Sequence, residues 1–169
     1  MEEKTKYKIE IIRSVEDAYK AKGLAVVIDV FRAFSVEAYL FGNGAKKIIP
    51  VQDPEEAYTL KKENPEYVLI GERKGIKLEG FDYGNSPTEI LNIDFSGKTI
   101  IHTTSNGTKG LLNATNAEIT LAGSFLTANS IIKFIKQNHI NNISLVSTSP
   151  RVDDENEDIV LAQYIQNAL

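Results

Sequence analysis

Short β-rich runs alternate with helical patterns along this chain, and that alternation constrains the fold more than any other feature. Runs rich in β-branched residues predict strands at 7–12, 24–30, 46–51, 66–72, 98–104, 118–123 and 142–148. Helical spacing marks 35–44, 53–64, 125–138 and the residues after Asp154. We therefore predict a three-layer α/β/α fold whose parallel or mostly parallel (mixed) sheet has about seven strands. No repeat or linker interrupts the pattern, so we expect one domain over residues 1–169.

Composition excludes several classes of function. The 169 residues include 19 basic and 23 acidic ones, for a net charge of −4, which disfavours nucleic acid and anionic membranes as partners. Cysteine is absent, which removes disulfides and thiolate nucleophiles, and two histidines are too few for a His-rich metal centre. Any divalent cation would be held by oxygen atoms, which suits Mg²⁺. The amino terminus has no apolar signal segment, so we expect a cytoplasmic protein, and a homo-oligomer is left open.

Polar residues gather directly after the predicted strands. In a parallel sheet the carboxyl ends of the strands meet at one edge, where ligand sites of α/β proteins usually form. Asp29 and Arg32 follow the apolar run LAVVI, where a carboxylate will be partly desolvated. The two side chains would either form a structural ion pair or both face a ligand.

The segment GERKGIKLEGFDYGNSP, residues 71–87, is too long for an ordinary connection. Its glycines allow close backbone approach, and Pro87 should hold Ser86 in an extended conformation. Asp82 would be presented on a constrained loop, where a metal ligand or a general base could lie. Glu72, Arg73 and Lys74 come directly after a strand, where a solvated surface is the usual alternative.

The segment TTSNGT, residues 103–108, has the composition of an anion cradle. Hydroxyl groups flank Asn106 and Gly107, a pair that lets backbone N–H groups point toward a ligand. An ordinary strand–turn–helix junction with a capping hydroxyl explains the pattern equally well. No phosphate-binding G-x-x-x-x-G-K-[ST] motif occurs in the chain.

Acidic residues cluster at 153–158, before the last predicted helix. A solvated helix start is the usual explanation, since acids are favourable there. The alternative is that one or two of them complete an oxygen-ligand metal site opposite Asp29. His102 lies in a predicted strand and could face the core or the rim, whereas His139 falls at a probable helix end.

Together these segments resemble the 2-phosphosulfolactate phosphatase family. The resemblance lies in VVIDVFRAFSV (26–36), the 71–87 and 103–108 segments, GSFLTA (123–128) and the pair Glu157-Asp158. It implies an α/β/α fold and Mg²⁺-dependent hydrolysis of 2-phospho-3-sulfolactate to 3-sulfolactate and phosphate, a step of coenzyme M biosynthesis. The chain departs from the family pattern at Phe34, which could narrow the pocket, and at Thr127, and it is shorter than the family.

The pattern and the resemblance together predict a set of site residues for a small anionic phosphoester substrate. The catalytic residues would be Asp29, Arg32 and Asp82. The substrate would be bound by Arg73, Lys74, Asn85, Ser86, Thr104, Ser105, Asn106, Gly107, Thr108 and Ser124. The ligands of Mg²⁺ would come from Asp29, Glu72, Asp82 and Asp158.

Two alternatives to this function stay open. With neither cysteine nor an Asp-x-Asp motif, a metal-bound water is favoured as the nucleophile, although Ser86 or Ser105 could serve instead. The protein could act on another small phosphorylated hydroxy acid, with Phe34 reshaping the pocket. It could also be a non-catalytic, anion-binding relative of the family.

Overall fold

All seven predicted strands are present in the computed structural model, which describes residues 7–150 and 155–169. The strands are β1 (Lys8–Ile12), β2 (Leu24–Ile28), β3 (Lys47–Pro50), β4 (Val68–Arg73), β5 (Ile76–Lys77), β6 (Thr99–Thr103), β7 (Ile119–Gly123) and β8 (Asn142–Ser147). The two-residue β5 is additional, because a strand that short leaves no alternating pattern in the sequence.

The four predicted helices are also confirmed, and two short α-helices and a 3₁₀ helix join them. The α-helices are α1 (Ala33–Gly42), α2 (Pro54–Glu63), α3 (Pro87–Ile90), α4 (Gly107–Asn113), α5 (Ala128–Gln137) and α6 (Glu157–Ala168), and a 3₁₀ helix spans Glu16–Lys20. Asp53 caps α2, since its Oδ1 accepts the Glu55 N–H at 3.0 Å. No helix within the two described ranges is both long and apolar enough to cross a lipid bilayer.

The strands form two four-stranded sheets rather than one. The first has the order β1-β8-β2-β7 and the second β3-β6-β4-β5. Every pair of strands is parallel except β4 and β5, so the mostly parallel arrangement is confirmed. Periodicity could not reveal the division, because strands covered on both faces look alike in either sheet.

Helices cover both faces of each sheet, which gives the predicted layers. Alternate residues of the fully buried β2 point to opposite sides: Val26 packs with α5 and α6, whereas Val27 packs with α1 and α4. In the second sheet, Ile100 packs against α1 and α3, and Ile101 against α2. Helix α1 therefore contributes to the cores of both sheets, and the carboxyl ends of β2, β4 and β6 open near its beginning.

Candidate active site

A polar cleft of about 220 Å³ lies where the carboxyl ends of β2, β4 and β6 meet. Both sheets contribute to the cleft, because β2 belongs to the first sheet and β4 and β6 belong to the second. The residues that line it are Asp29, Phe31, Arg32, Glu72, Gly75, Asn85, Thr104, Ser105 and Asn106. The structure thus brings together predicted site residues from three distant segments of the chain.

Asp29 is the carboxylate at the centre of this cleft. Its Oδ1 accepts a hydrogen bond from the Ala33 N–H at 3.0 Å, and its Oδ2 accepts one from the Thr148 hydroxyl at 3.2 Å. Burial first, and then the negative charge of Asp158, raise the pKa of Asp29 from 3.8 to about 6, against the lowering effect of those two bonds. A carboxylate whose ionised form is disfavoured in this way would be stabilised by a bound cation.

Asp158 lies behind Asp29 and is only 2% exposed. Its Oδ1 accepts the Val30 N–H, and its Oδ2 accepts the N–H groups of Thr148 and Ser149 and, at 3.4 Å, the Ser147 hydroxyl. Burial raises the pKa of Asp158 in spite of these donors. The side chain therefore ties the ends of β2 and β8 together, and the solvated helix start expected here does not describe it. Asp153 and Asp154 lie outside the described residues.

Arg32 places an exposed positive charge at the mouth of the cleft. Its side chain is exposed, and neither Asp29 nor any other carboxylate in the described part of the chain forms an ion pair with it. Within the same ranges, the backbone N–H groups of Phe31, Arg32 and Asn106 have no acceptor. Unpaired donors beside a guanidinium group favour an anionic ligand.

Glu72 organises the opposite wall of the cleft. Its Oε1 accepts the Ser105 N–H at 2.7 Å, and its Oε2 accepts the Gly75 N–H at 2.6 Å and the Ser105 hydroxyl at 3.1 Å. The side chain is 7% exposed. Glu72 therefore holds the β4–β5 turn against the segment that follows β6.

The TTSNGT segment forms a strand–turn–helix junction whose hydroxyl groups are largely used within the protein. Thr104 and Thr108 are bonded reciprocally: each backbone N–H donates to the hydroxyl of the other residue, at 3.0 and 3.1 Å. The Asn106 side chain makes no capping bond to α4. The hydroxyls of Thr104 and Thr108 therefore shape the loop, while Asn106 faces the cleft.

Gly107 fits closely over Asp29. A β-carbon placed at Gly107 would lie 2.7 Å from Asp29 Oδ2, 2.7 Å from the Ala33 β-carbon and 3.2 Å from the Thr104 hydroxyl. Real β-carbons do not approach other atoms so closely. Glycine is required here because α4 begins in contact with the Asp29 carboxylate, which leaves no space for a side chain.

Arg73 and Lys74 differ in what they can offer a ligand. The Arg73 guanidinium donates to the Glu72 carbonyl at 2.7 Å, to the Thr103 hydroxyl at 2.8 Å and to the Gln52 carbonyl, so it joins strand ends of the second sheet. Lys74 is exposed at the tip of the β4–β5 hairpin, with a positive φ of 54°.

Asp82 lies away from the cleft. Its Oδ2 accepts the Leu69 N–H at 2.8 Å and is 3.6 Å from the Lys61 ammonium group. Leu69 is near the amino end of β4, whereas Glu72 is near its carboxyl end, about 10 Å farther along the strand at 3.3 Å per residue. The structure therefore does not bring Asp82 together with Asp29.

Asn85 and Ser86 follow on the same loop with different surroundings. Asn85 is 7% exposed, lines the cleft, and places its Oδ1 3.2 Å from His102 Nε2. Ser86 precedes α3 in the extended conformation expected before Pro87, with φ −134° and ψ 127°, and its hydroxyl contacts that of Thr88.

Sequence reasoning missed Glu37, whose Oε1 lies 2.9 Å from His102 Nδ1.

Ser124 carries an unsatisfied buried hydroxyl. It is fully buried, and its Oγ has no hydrogen-bond partner in the described part of the protein. Because Ile28 of β2 pairs with Gly123 of β7, Ser124 lies next to Asp29 in register. Thr148 of the β8 end occupies the corresponding position on the other side of Asp29.

The residues fit a magnesium ion held at Asp29 rather than within a ring of carboxylates. Across residues 7–150 and 155–169, no three His, Asp or Glu side chains form a metal-binding group, so the four predicted ligands do not come together. Mg²⁺ is commonly held by one or two carboxylates, with water and substrate oxygens completing the shell. Asp29, with its raised pKa, and the unsatisfied Ser124 hydroxyl beside it suit such a site.

Comparison with known proteins identifies the family. Residues 10–169 match the family model described as 2-phosphosulpholactate phosphatase. The chain belongs to the 2-phosphosulpholactate phosphatase family. The resemblance drawn from the sequence motifs is thereby confirmed.

Curated relatives in this family carry the name probable 2-phosphosulfolactate phosphatase. One from Caldicellulosiruptor saccharolyticus is 39% identical over 156 residues, which cover 90% of this chain and 64% of that protein. One from Bacillus subtilis is 38% identical over 146 residues, covering 85% and 63%. One from Clostridium acetobutylicum is 37% identical over 166 residues, covering 96% and 70%. The chain thus spans less than two-thirds of the length of the first two relatives.

The two positions that depart from the family pattern lie outside the cleft lining. Phe34 is 1% exposed and packs in the core of the first sheet. It does not line the cleft, so the narrowing of the pocket considered from the sequence is not found. Thr127 caps the turn before α5, since its hydroxyl accepts the Ser124 N–H at 3.0 Å and donates to the Ser124 carbonyl at 3.1 Å.

Proposed function

We propose that this protein hydrolyses the phosphate monoester of 2-phospho-3-sulfolactate, releasing 3-sulfolactate and phosphate. The observation that carries the proposal is the combination, in one cleft, of the Asp29 carboxylate with the exposed guanidinium group of Arg32, which has no ion-pair partner among residues 7–150 and 155–169. Membership of the phosphatase family supports it. A reaction of this kind would belong to coenzyme M biosynthesis, and we infer that it takes place in the cytoplasm.

The substrate carries phosphate, carboxylate and sulfonate groups, and the cleft offers donors for them. Arg32 would bind phosphoryl oxygens through its planar N–H groups, which also stabilise charge in the transition state. The N–H groups of Phe31 and Asn106, which have no acceptor in the described part of the chain, would bind further oxygens. Lys74, exposed on the hairpin tip, would reach a second anionic group of the substrate.

Asp29 is the residue that would hold Mg²⁺, with Ser124 as a neutral oxygen beside it. When bound, the ion supplies positive charge for the phosphoryl oxygens and lowers the pKa of a coordinated water. Asp158 and Thr148 keep the Asp29 carboxylate in place, and Glu72 keeps the facing loop in place. In the overall step, a water oxygen forms a bond to phosphorus, the ester P–O bond breaks, and the departing alkoxide takes up a proton.

The test is phosphate release from 2-phospho-3-sulfolactate, measured with Mg²⁺ and with EDTA. We expect turnover that EDTA abolishes and added Mg²⁺ restores. A parallel panel of phosphorylated hydroxy acids without the sulfonate separates the two phosphatase alternatives, and we expect the sulfonated substrate to be preferred. A folded protein that binds the substrate stoichiometrically without releasing phosphate would contradict the proposal and favour the anion-binding relative.

A further inference from the structure

A buried line of three polar side chains runs from α1 across β6 to the cleft. Glu37 of α1 places Oε1 2.9 Å from Nδ1 of His102, and Nε2 of His102 lies 3.2 Å from Oδ1 of Asn85. The three side chains are almost fully buried, with 7%, 0% and 7% exposure respectively. Asn85 is the member that lines the cleft.

The donors and acceptors along this line decide how Asn85 is held. An amide oxygen only accepts, so Nε2 of His102 must carry the hydrogen of its contact with Asn85. The contact of Nδ1 with Glu37 is then a second hydrogen bond, in which one proton lies between the ring and the carboxyl group. Asn85 Oδ1 is held toward the ring, and its NH₂ group, which has no acceptor within the described residues, is left for the cleft.

The opposite arrangement would reverse the polarity that Asn85 presents. A neutral His102 that donates from Nδ1 to Glu37 has only a lone pair at Nε2, which would attract the Asn85 NH₂ group. The amide would then turn over and direct its oxygen toward the cleft. An amide oxygen repels an anion, whereas an NH₂ group binds one.

We propose that Glu37 and His102 are positioning residues that direct the NH₂ group of Asn85 toward an oxygen of the phosphoester substrate. This inference rests on the proposed function, since it assigns Asn85 to the same anionic ligand. The charged groups around the line are Glu37 from α1, Asp29 from the β2 end, Glu72 from β4 and Arg32 at the cleft mouth.

The His102→Leu and His102→Gln variants separate positioning from packing. A leucine at this position has no donor for Asn85 Oδ1, whereas the NH₂ group of a glutamine can replace the Nε2 donor. Phosphate should bind roughly tenfold or more weakly in His102→Leu, and His102→Gln should recover much of that loss. Glu66→Gln, at an exposed position, should leave phosphate binding unchanged.

A further variant tests Asn85 directly, should the His102 variants fail to fold. Asn85→Asp has nearly the same shape but its carboxylate offers only acceptors, so an oxygen faces the cleft in either orientation. It should lose phosphate binding at least as strongly as His102→Leu. Binding equal to that of the wild type would overturn the inference.

The experiment combines ¹⁵N NMR of the imidazole rings with titration of inorganic phosphate. The chain has two histidines, so His139→Asn leaves His102 as the one ring observed, and Asn tolerates the positive φ of 52° at that site. We expect the spectrum to show a proton on Nε2 of His102, the nitrogen that faces Asn85. A wild-type ring without a proton on Nε2 would overturn the inference.

The two proposals fail in different ways in this titration. If the wild type binds phosphate and His102→Leu binds it equally well, the inference about Asn85 falls while the proposed function stands. If the wild type binds no phosphate, both the proposed anion site and the role of Asn85 are overturned.

Discussion

Gly107 lies so close to Asp29 that an added β-carbon would stand 2.7 Å from the carboxylate oxygen Oδ2. The first residue of α4 thus defines the space around the central carboxylate. Gly107→Ala should displace α4 or Asp29, lower turnover at least tenfold, and cost about 1–3 kcal/mol of unfolding free energy, as overpacking typically does. Enzyme assay and chemical denaturation measure the two effects.

Gly42→Ala is the matched control for that variant. No atom lies within 4 Å of a β-carbon added at Gly42, the last residue of α1. Turnover should be unchanged, and stability should be equal or slightly higher, because alanine is the better helix former. Equal turnover in Gly107→Ala and the wild type would show that the close contact is not required for function.

Asp29→Asn should stabilise the free protein at neutral pH. The pKa of Asp29 is about 6 in the folded state against 3.8 as the ordinary value, so the folded protein binds the extra proton between these pH values. The free energy of unfolding therefore falls as pH rises through this range. Above the range, the ionised Asp29 carboxylate destabilises the folded protein. In EDTA, Asp29→Asn should exceed the wild type by about 1–3 kcal/mol at pH 7.

That difference should shrink as the pH falls below about 6 and vanish near pH 4. Denaturation series at several pH values in metal-free buffer give the profile. A difference that is constant with pH would show that the Asp29 carboxyl does not titrate in this window.

Added Mg²⁺ should make the wild type more stable than Asp29→Asn. A ligand that binds only the folded state raises the melting temperature with concentration. We expect Mg²⁺ to raise that of the wild type and to leave that of Asp29→Asn nearly unchanged, as measured by calorimetry. Equal shifts in both proteins would place the ion elsewhere.

Asp82→Asn should leave turnover within about twofold of the wild type. Asn can still accept the Leu69 N–H through its oxygen, and only the exposed contact with Lys61 at 3.6 Å loses its charge. Such surface pairs contribute about 0–1 kcal/mol. A large loss of turnover would mean that Asp82 reaches the cleft in the working enzyme.

The case of Asp82 shows where sequence reasoning reaches its limit. Strand ends and glycines predicted a constrained loop, and the backbone N–H groups of Asp82 and Tyr83 do bond to the Leu69 carbonyl. Its path is set by tertiary pairing: Tyr83 bridges Ile70 in parallel, which carries Asp82 back toward the amino end of β4. No local sequence pattern predicts this path of the chain back toward the amino end of β4. The strands that place Asp29 and Glu72, in contrast, are visible as apolar runs.

The sequence contained a pattern from which the buried position of Glu37 could have been predicted. The buried residues of α1 are Ala33, Phe34, Val36, Glu37 and Leu40, with spacings of three and four residues that mark the inward face. A carboxylate on that face must find a partner, and His102 in a buried strand was the available one. Which of the strands lies opposite α1 depends on the division into two sheets, which periodicity does not encode.

The measurement that tests the central claim most directly compares Asp29→Asn with the wild type in phosphate release from 2-phospho-3-sulfolactate. Asp94→Asn serves as the control, since Asp94 is exposed and bonds only within its own turn. We predict that Asp29→Asn loses roughly a thousand-fold or more in kcat while staying folded, and that Asp94→Asn keeps wild-type turnover. Turnover of Asp29→Asn close to that of the wild type would contradict the account.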